Sequence, residues 1–188
     1  MAPALDRDRI LQAFEALGAD LAERGLLIEI AVYGGGALML QFAWRRGTDD
    51  IDAVVREGFD EAALAPSVRR VGERMGLPPD WLNNAVGMYT PLDEDDGLFL
   101  AAGSYPTGGT PGLRTVLAKP AYLLAMKLQA LQNFDRGDRD LNDAAALAAH
   151  LDITDEAALH ALYCSVYGEA PPEGASLRFK AVVRGSGR

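Results

Sequence analysis

LLIEIAVYGGGALMLQFAWRRGTDDIDAVV, residues Leu26 to Val55, is the stretch on which the fold of this chain turns. Leu26 to Tyr33 is short and largely apolar, with β-branched Ile28, Ile30 and Val32, the composition of a buried strand. Gly34, Gly35 and Gly36 interrupt it, and Ala37 to Trp44 then reads as a helix. Asp50 to Val55 (DIDAVV) has strand character again. The order strand, glycine turn, helix, strand points to a sheet with helices packed on it.

Working outward, Ile10, Phe14, Leu17 and Leu21 recur at helical spacing within Arg9 to Arg24, and Gly25 follows as a stop signal. Phe59 to Met75 predicts a second long helix that ends at Gly76, before the Pro78-Pro79 break. Residues 80–112 read as loops around a strand at Leu98 to Ala102, including the acidic run Asp93-Glu94-Asp95-Asp96 and the Gly/Pro/Thr-rich segment Gly103 to Gly112. Leu113 to Ala118 is a further strand. Pro120, well suited to a first helical turn, opens a helix through Phe134. Asp140 to His150 and Thr154 to Tyr167 are expected to be helical, and Ser176 to Val183 a last strand. The expected class is α/β or α+β: a small mixed sheet flanked by helices, followed by a helical C-terminal third.

A chain of 188 residues can bury one sizeable core, so a single folding unit is expected, with the sheet in residues 26–118 and a helical part in 120–168. No apolar run approaches the roughly 20 residues a membrane span needs, which excludes a membrane-spanning reading. Met1 to Arg9 carries acids and bases in place of a secretory signal, so a cytoplasmic location is expected. The single cysteine, Cys164, has no internal disulfide partner, and its neighbours Leu162, Tyr163 and Val166 suggest a helix packing face. A net charge of −9 opposes general attraction to nucleic-acid phosphates, so any such partner must meet a local basic patch such as Arg45-Arg46, Arg69-Arg70 or the Arg178 to Arg188 tail.

Asp50 and Asp52 stand two apart in a predicted strand, which projects both side chains to one face. Two facing carboxylates hold Mg²⁺ through a few oxygens and leave its other positions to triphosphate and water. A Gly-rich link from strand to helix lets backbone N–H groups approach phosphate oxygens, with the positive end of the helix dipole behind them. An acidic strand end and a tight glycine turn are each common for structural reasons alone. Side by side they describe a phosphate cradle next to the metal carboxylates. His150 and His160 have no second ligand at metal spacing and read as structural or surface residues. Hydrolase and kinase motifs are missing from the sequence.

Tyr33-Gly34-Gly35-Gly36-Ala37-Leu38 and Arg46-Gly47-Thr48-Asp49-Asp50-Ile51-Asp52 resemble the GG-x-A-L and R-x-T-x-D-I-D signature of minimal nucleotidyltransferases, and in particular AbiEii-like toxin components. Leu124-Ala125-Met126-Lys127-Leu128 is similar to the Lys-bearing helix of that family, and Arg136-Gly137-Asp138-Arg139-Asp140-Leu141-Asn142-Asp143 to its R-x-x-K-D-x-x-D motif. The resemblance runs from about Leu26 to Leu147. It implies that Asp50 and Asp52 bind Mg²⁺, with Mn²⁺ as a substitute, and that Gly34, Gly35, Gly36, Arg46, Thr48, Lys127, Arg139 and Asp143 surround the nucleotide. Asp140 or Asp143 would orient the acceptor hydroxyl or Lys127. From its own neighbours, Leu123, Leu124, Leu128 and Leu131, Lys127 reads equally as a residue snorkelling from an apolar face, and Asp140 as a helix N-cap.

Three positions depart from the family pattern. Arg139 stands where Lys is frequent, glycine where Ser or Thr is frequent, and Leu98 to Ala102 carries no third acid. The implied activity is Mg-dependent transfer of a nucleoside monophosphate from a nucleoside triphosphate to a hydroxyl of an RNA end such as that of tRNA, or of a protein. The resemblance also implies the toxin role of a toxin–antitoxin or phage-defence system, with an antitoxin or other neighbouring-gene partner. The alternative is a non-catalytic nucleotide- or partner-binding protein that keeps the fold.

Overall fold

β-Branched, largely apolar composition produces β1 (Ile28–Val32), β2 (Ile51–Val55) and β5 (Leu113–Ala118), and β4 (Phe99–Tyr105), which has no β-branched residue and is buried only at its two ends, pairs along β5. A two-residue strand, β3 (Leu82–Asn83), joins them. It is too short to carry a periodicity and was not legible in the sequence. The computed structural model describes residues 4–56, 58–133 and 138–187. Its sheet has the order β3-β2-β1-β5-β4. β1 pairs in parallel with β5 and antiparallel with β2, β2 pairs in parallel with β3, and β4 is antiparallel to β5. The class is therefore mixed α/β, as expected.

The described residues fall into two compact units, Met1–Met88 with Phe99–Ala118, and Tyr89–Leu98 with Lys119–Arg188. The first holds the sheet with α1 (Arg7–Glu23), α2 (Gly34–Gln41) and α3 (Glu61–Met75). Asp6 starts α1 by accepting from the Arg9 N–H at 2.8 Å, and Asp60 starts α3 through Ala63 at 3.2 Å. Gly76, at φ 64°, ends α3 in the left-handed conformation that glycine adopts without a Cβ clash. The apolar stripe of α1, Ile10, Phe14, Leu17 and Leu21, is fully buried, as its spacing predicts. Close approach helps: a Cβ on Gly18 would overlap the Tyr105 carbonyl, so α1 lies directly on the backbone at the end of β4. Trp81, fully buried just before β3, donates its indole N–H to the Val68 carbonyl of α3 at 3.0 Å.

The second unit contains α4 (Pro120–Ala130), α5 (Asp138–His150), α6 (Glu156–Tyr167) and α7 (Ala175–Ser186). Within it α4 packs on α5 and α6, and α7 on α5 and α6. Tyr167 is half-buried and donates to the Tyr89 carbonyl at 2.7 Å, and desolvation raises its phenol well above the ordinary value. The strand expected at Ser176 to Val183 is a helix instead. Ala175, Phe179 and Val182 are the buried residues there, a 4-then-3 spacing that belongs to one helical face. The helix expected over Ala37 to Trp44 begins three residues earlier, at Gly34, and stops at Gln41, because Phe42 is already extended. Leu98 to Ala102 shifts to Phe99–Tyr105. Phe134, the expected end of α4, lies outside the described residues. Among the described residues no helix is long and apolar enough to cross a membrane.

The α1–α3 contact carries a charged clasp. Arg70 grips the carboxylate of Asp20 at both oxygens, Nε at 2.9 Å and Nη2 at 2.6 Å. The Arg70 hydrogen bonds, opposed by burial, hold the Asp20 carboxyl below its ordinary value of 3.8. A depressed folded-state pKa stabilises the protein above the unfolded value and loses that contribution as pH falls through the folded one. In urea unfolding followed from neutral pH to acid, Asp20→Asn should lower stability at neutral pH and show a smaller loss than the wild type below about pH 4.

Candidate functional site

The antiparallel pairing of β1 with β2 sets Val32 opposite Ala53, so the end of β1 meets the start of β2. Immediately beyond, the Tyr33 N–H donates to the Asp52 carbonyl at 2.9 Å. The chain then turns straight into α2 with Gly34 at φ 54°, a conformation costly for residues that carry a Cβ. There is also no room for one, since a Cβ on Gly34 would overlap the Asp52 Oδ2. At Gly35 a Cβ would collide with the Thr48 Oγ1 and stand 3.4 Å from Arg45 Nη2. At Gly36 it would press on Ile51 Cγ2 at 3.2 Å. The glycine triplet is thus the first turn of α2 packed closely against the segment that carries Thr48, Ile51 and Asp52. Tyr33, the N-cap, supplies no side-chain cap to this helix.

Asp52 lies within β2, but Asp50 does not: it occupies a bend one residue before the strand begins at Ile51. Strand alternation alone therefore does not orient it. A side chain that sequence reasoning missed does. The Asn83 Nδ2 donates to Asp50 Oδ2 at 2.9 Å, while β3 pairs Asn83 with Asp52 in register. Thr48 is buried and its backbone is tied to Leu5 in both directions, with N–O distances of 2.7 and 3.0 Å. Arg46 is exposed and lines an open groove with Arg7, Met39, Phe42 and Arg45. Arg45, not Arg46, is the base beside Gly35.

The donor set suits a hard cation. Two carboxylates lie at one strand start, and the Gly34 backbone abuts one of them with no side chain between. Among the described residues no group of three or more His, Cys, Asp or Glu is arranged to hold a metal. A cation held by Asp50 and Asp52 would take the rest of its oxygens from ligand and water, as Mg²⁺ commonly does. β4 carries no acid either, its sequence being FLAAGSY.

In the second unit, Lys127 of α4 donates to Asp140 Oδ1 at 2.5 Å and to Asp143 Oδ2 at 3.0 Å. Asp140 and Asp143 stand three apart on α5 and so share a face, and all three side chains are nearly or fully buried. The helix starts at Asp138, which places Asp140 inside its first turn rather than at the N-cap. Lys127 does not snorkel to solvent; its ammonium is held between two carboxylates. Arg139 is exposed on the same helix, and Arg136 and Gly137 lie outside the described residues. His150 and His160 are exposed. Cys164 is half-buried, not in the core, with its Sγ 3.4 Å from His160 Nδ1 one helical turn away. Leu159 and Tyr163 form the buried face of α6 instead.

Comparison with protein-family models, with curated proteins and with solved structures returns no significant match.

Removing Lys127 leaves two buried carboxylates facing each other. Lys127→Met should lower the unfolding free energy by about 3 kcal/mol. Adding Asp140→Asn and Asp143→Asn should recover part of that loss, and urea denaturation of the three proteins reads both effects.

Proposed function

We propose that the first unit is the nucleotide site of a Mg-dependent nucleotidyltransferase that moves a nucleoside monophosphate from a nucleoside triphosphate to an acceptor hydroxyl on RNA or protein. The observation that carries this reading is the contact of the Gly34 backbone with the Asp52 carboxylate, which makes the start of α2 and the carboxylate pair one continuous surface. Backbone N–H groups in the first turn of α2 would receive phosphate oxygens, helped by the helix dipole. Asp50 and Asp52 would hold the ion at those phosphates. Mg²⁺, or Mn²⁺ in its place, supplies charge neutralisation and lowers the pKa of a coordinated hydroxyl. The chain itself contributes positioning and fixed charge, which is most of what phosphoryl-type transfer requires.

One observation favours the rival, a protein that binds nucleotide or a partner without turnover. The strand expected to carry a third acid has none, and no three-acid cluster is present among the described residues. The toxin role, with its antitoxin partner, is a narrower form of the first reading and rests on the sequence resemblance alone.

Purified protein incubated with each α-labelled nucleoside triphosphate, Mg²⁺ and total RNA should place label on RNA or protein. Asp52→Ala should reduce that label by roughly two orders of magnitude or more, as several kcal/mol of charge stabilisation are lost. Equal labelling by the variant would sink the assignment. Mg-dependent nucleotide binding without transfer would favour the non-catalytic reading.

A further inference from the structure

We infer that Asn83 is a positioning residue that aims the Asp50 carboxylate at the cation. This inference rests on the metal-site reading above. Its starting point is a difference between the two acids. Asp52 is fixed by β2, whose backbone is paired on one side to β1 and on the other to β3. Asp50 sits in the bend before β2, where the strand ladder does not set its direction. Two carboxylates can share one ion only if both point to it, so Asp50 needs another constraint.

Asn83 supplies it. The parallel register of β3 on β2 pairs Asn83 with Asp52, and paired residues of neighbouring strands project their side chains to the same face of the sheet. Its amide is held at both ends. Oδ1 accepts from the Ala85 N–H at 2.9 Å, and Nδ2 donates to the Asp80 carbonyl at 3.1 Å and to Asp50 Oδ2 at 2.9 Å. An amide has one acceptor oxygen and two N–H donors. The Ala85 bond fixes which end is oxygen, and with it the donor presented to Asp50. Asp50 Oδ2 accepts from Asn83, so Oδ1 would be the oxygen offered to a cation.

The test measures Mn²⁺ binding directly, by loss of the free-ion paramagnetic resonance signal, with no turnover required. Asn83→Ser keeps a neutral oxygen that can accept from Ala85 but is too short to reach Asp50. It should weaken Mn²⁺ binding about tenfold, a magnitude ordinary for residues that orient a metal ligand. Its melting temperature should stay close to that of the wild type. In an Asp50→Asn background the same substitution should have no further effect, a coupling that a general structural role would not produce. Wild-type binding lost in Asp52→Ala but unchanged in Asn83→Ser would overturn the role of Asn83 and leave the metal site standing. Wild-type protein that binds no Mn²⁺, or an Asp52→Ala variant that binds it equally well, would overturn both. Should Asn83→Ser fail to fold, the wild type still decides. The Asn83 side-chain amide resonances should shift when Mg²⁺ is titrated, and their remaining still while the Asp50 and Asp52 amides move would overturn the inference.

Discussion

The β1–β2 register is the constraint on which the first unit depends. With Ile30 opposite Val55 and Val32 opposite Ala53, the next hydrogen bond runs from the Tyr33 N–H to the Asp52 carbonyl. Side chains alternate faces along a strand, so a slip of one residue would send Asp52 to the opposite face and bring Ile51 or Ala53 to Gly34. The same slip would expose Ile51, which is fully buried. Burial of the apolar residues of β2 and placement of its carboxylate are therefore enforced together. Hydrophobic packing on one side of the strand specifies the geometry of the charged group on the other.

Charge is handled differently in the two units. In the second, the Lys127 ammonium is held between Asp140 and Asp143, nearly out of reach of water. In the first, Asp50 and Asp52 are only half-buried, and Asp50 accepts from the Asn83 amide. Asp20, by contrast, is clasped at both oxygens by Arg70.

The long periodic elements were legible because each buries one face. The stripe Ile10, Phe14, Leu17 and Leu21 announces α1, and the apolar run around Ile28 to Val32 announces β1. What escaped was set by contacts between segments distant in sequence. β3 owes its two residues to pairing with Ile51 and Asp52, and nothing local in Leu82-Asn83 foretells it. At α7 the apolar residues are few enough that period 2 and period 3.6 both fit a short window, and packing against α5 decides for the helix. The glycine and carboxylate motifs were visible in the sequence, and the structure brings Gly34 to Asp52 and Gly35 to Thr48. Asn83 was not singled out, and Arg45 was read only as part of a basic patch. Arg45 stood in a basic pair with Arg46, both line the groove, and only the fold shows that Arg45 is the one beside Gly35.

The glycine triplet departs from the pattern it resembles, in which a hydroxyl side chain is frequent. The structure gives a physical reason why this chain carries none there. At Gly34 the backbone conformation and the Asp52 carboxylate both exclude a side chain. At Gly35 the space a side chain would enter is already taken by the Thr48 Oγ1. A hydroxyl does stand at the first turn of α2; it arrives from the segment before β2 instead of from the turn. Thr48 is held there by reciprocal backbone hydrogen bonds to Leu5, the only bridge linking that segment to the chain ahead of α1 among the described residues. The loss of a side chain at position 35 and the anchoring of Thr48 are two halves of one arrangement. Substituting either one disturbs the same few cubic ångströms beside the carboxylates.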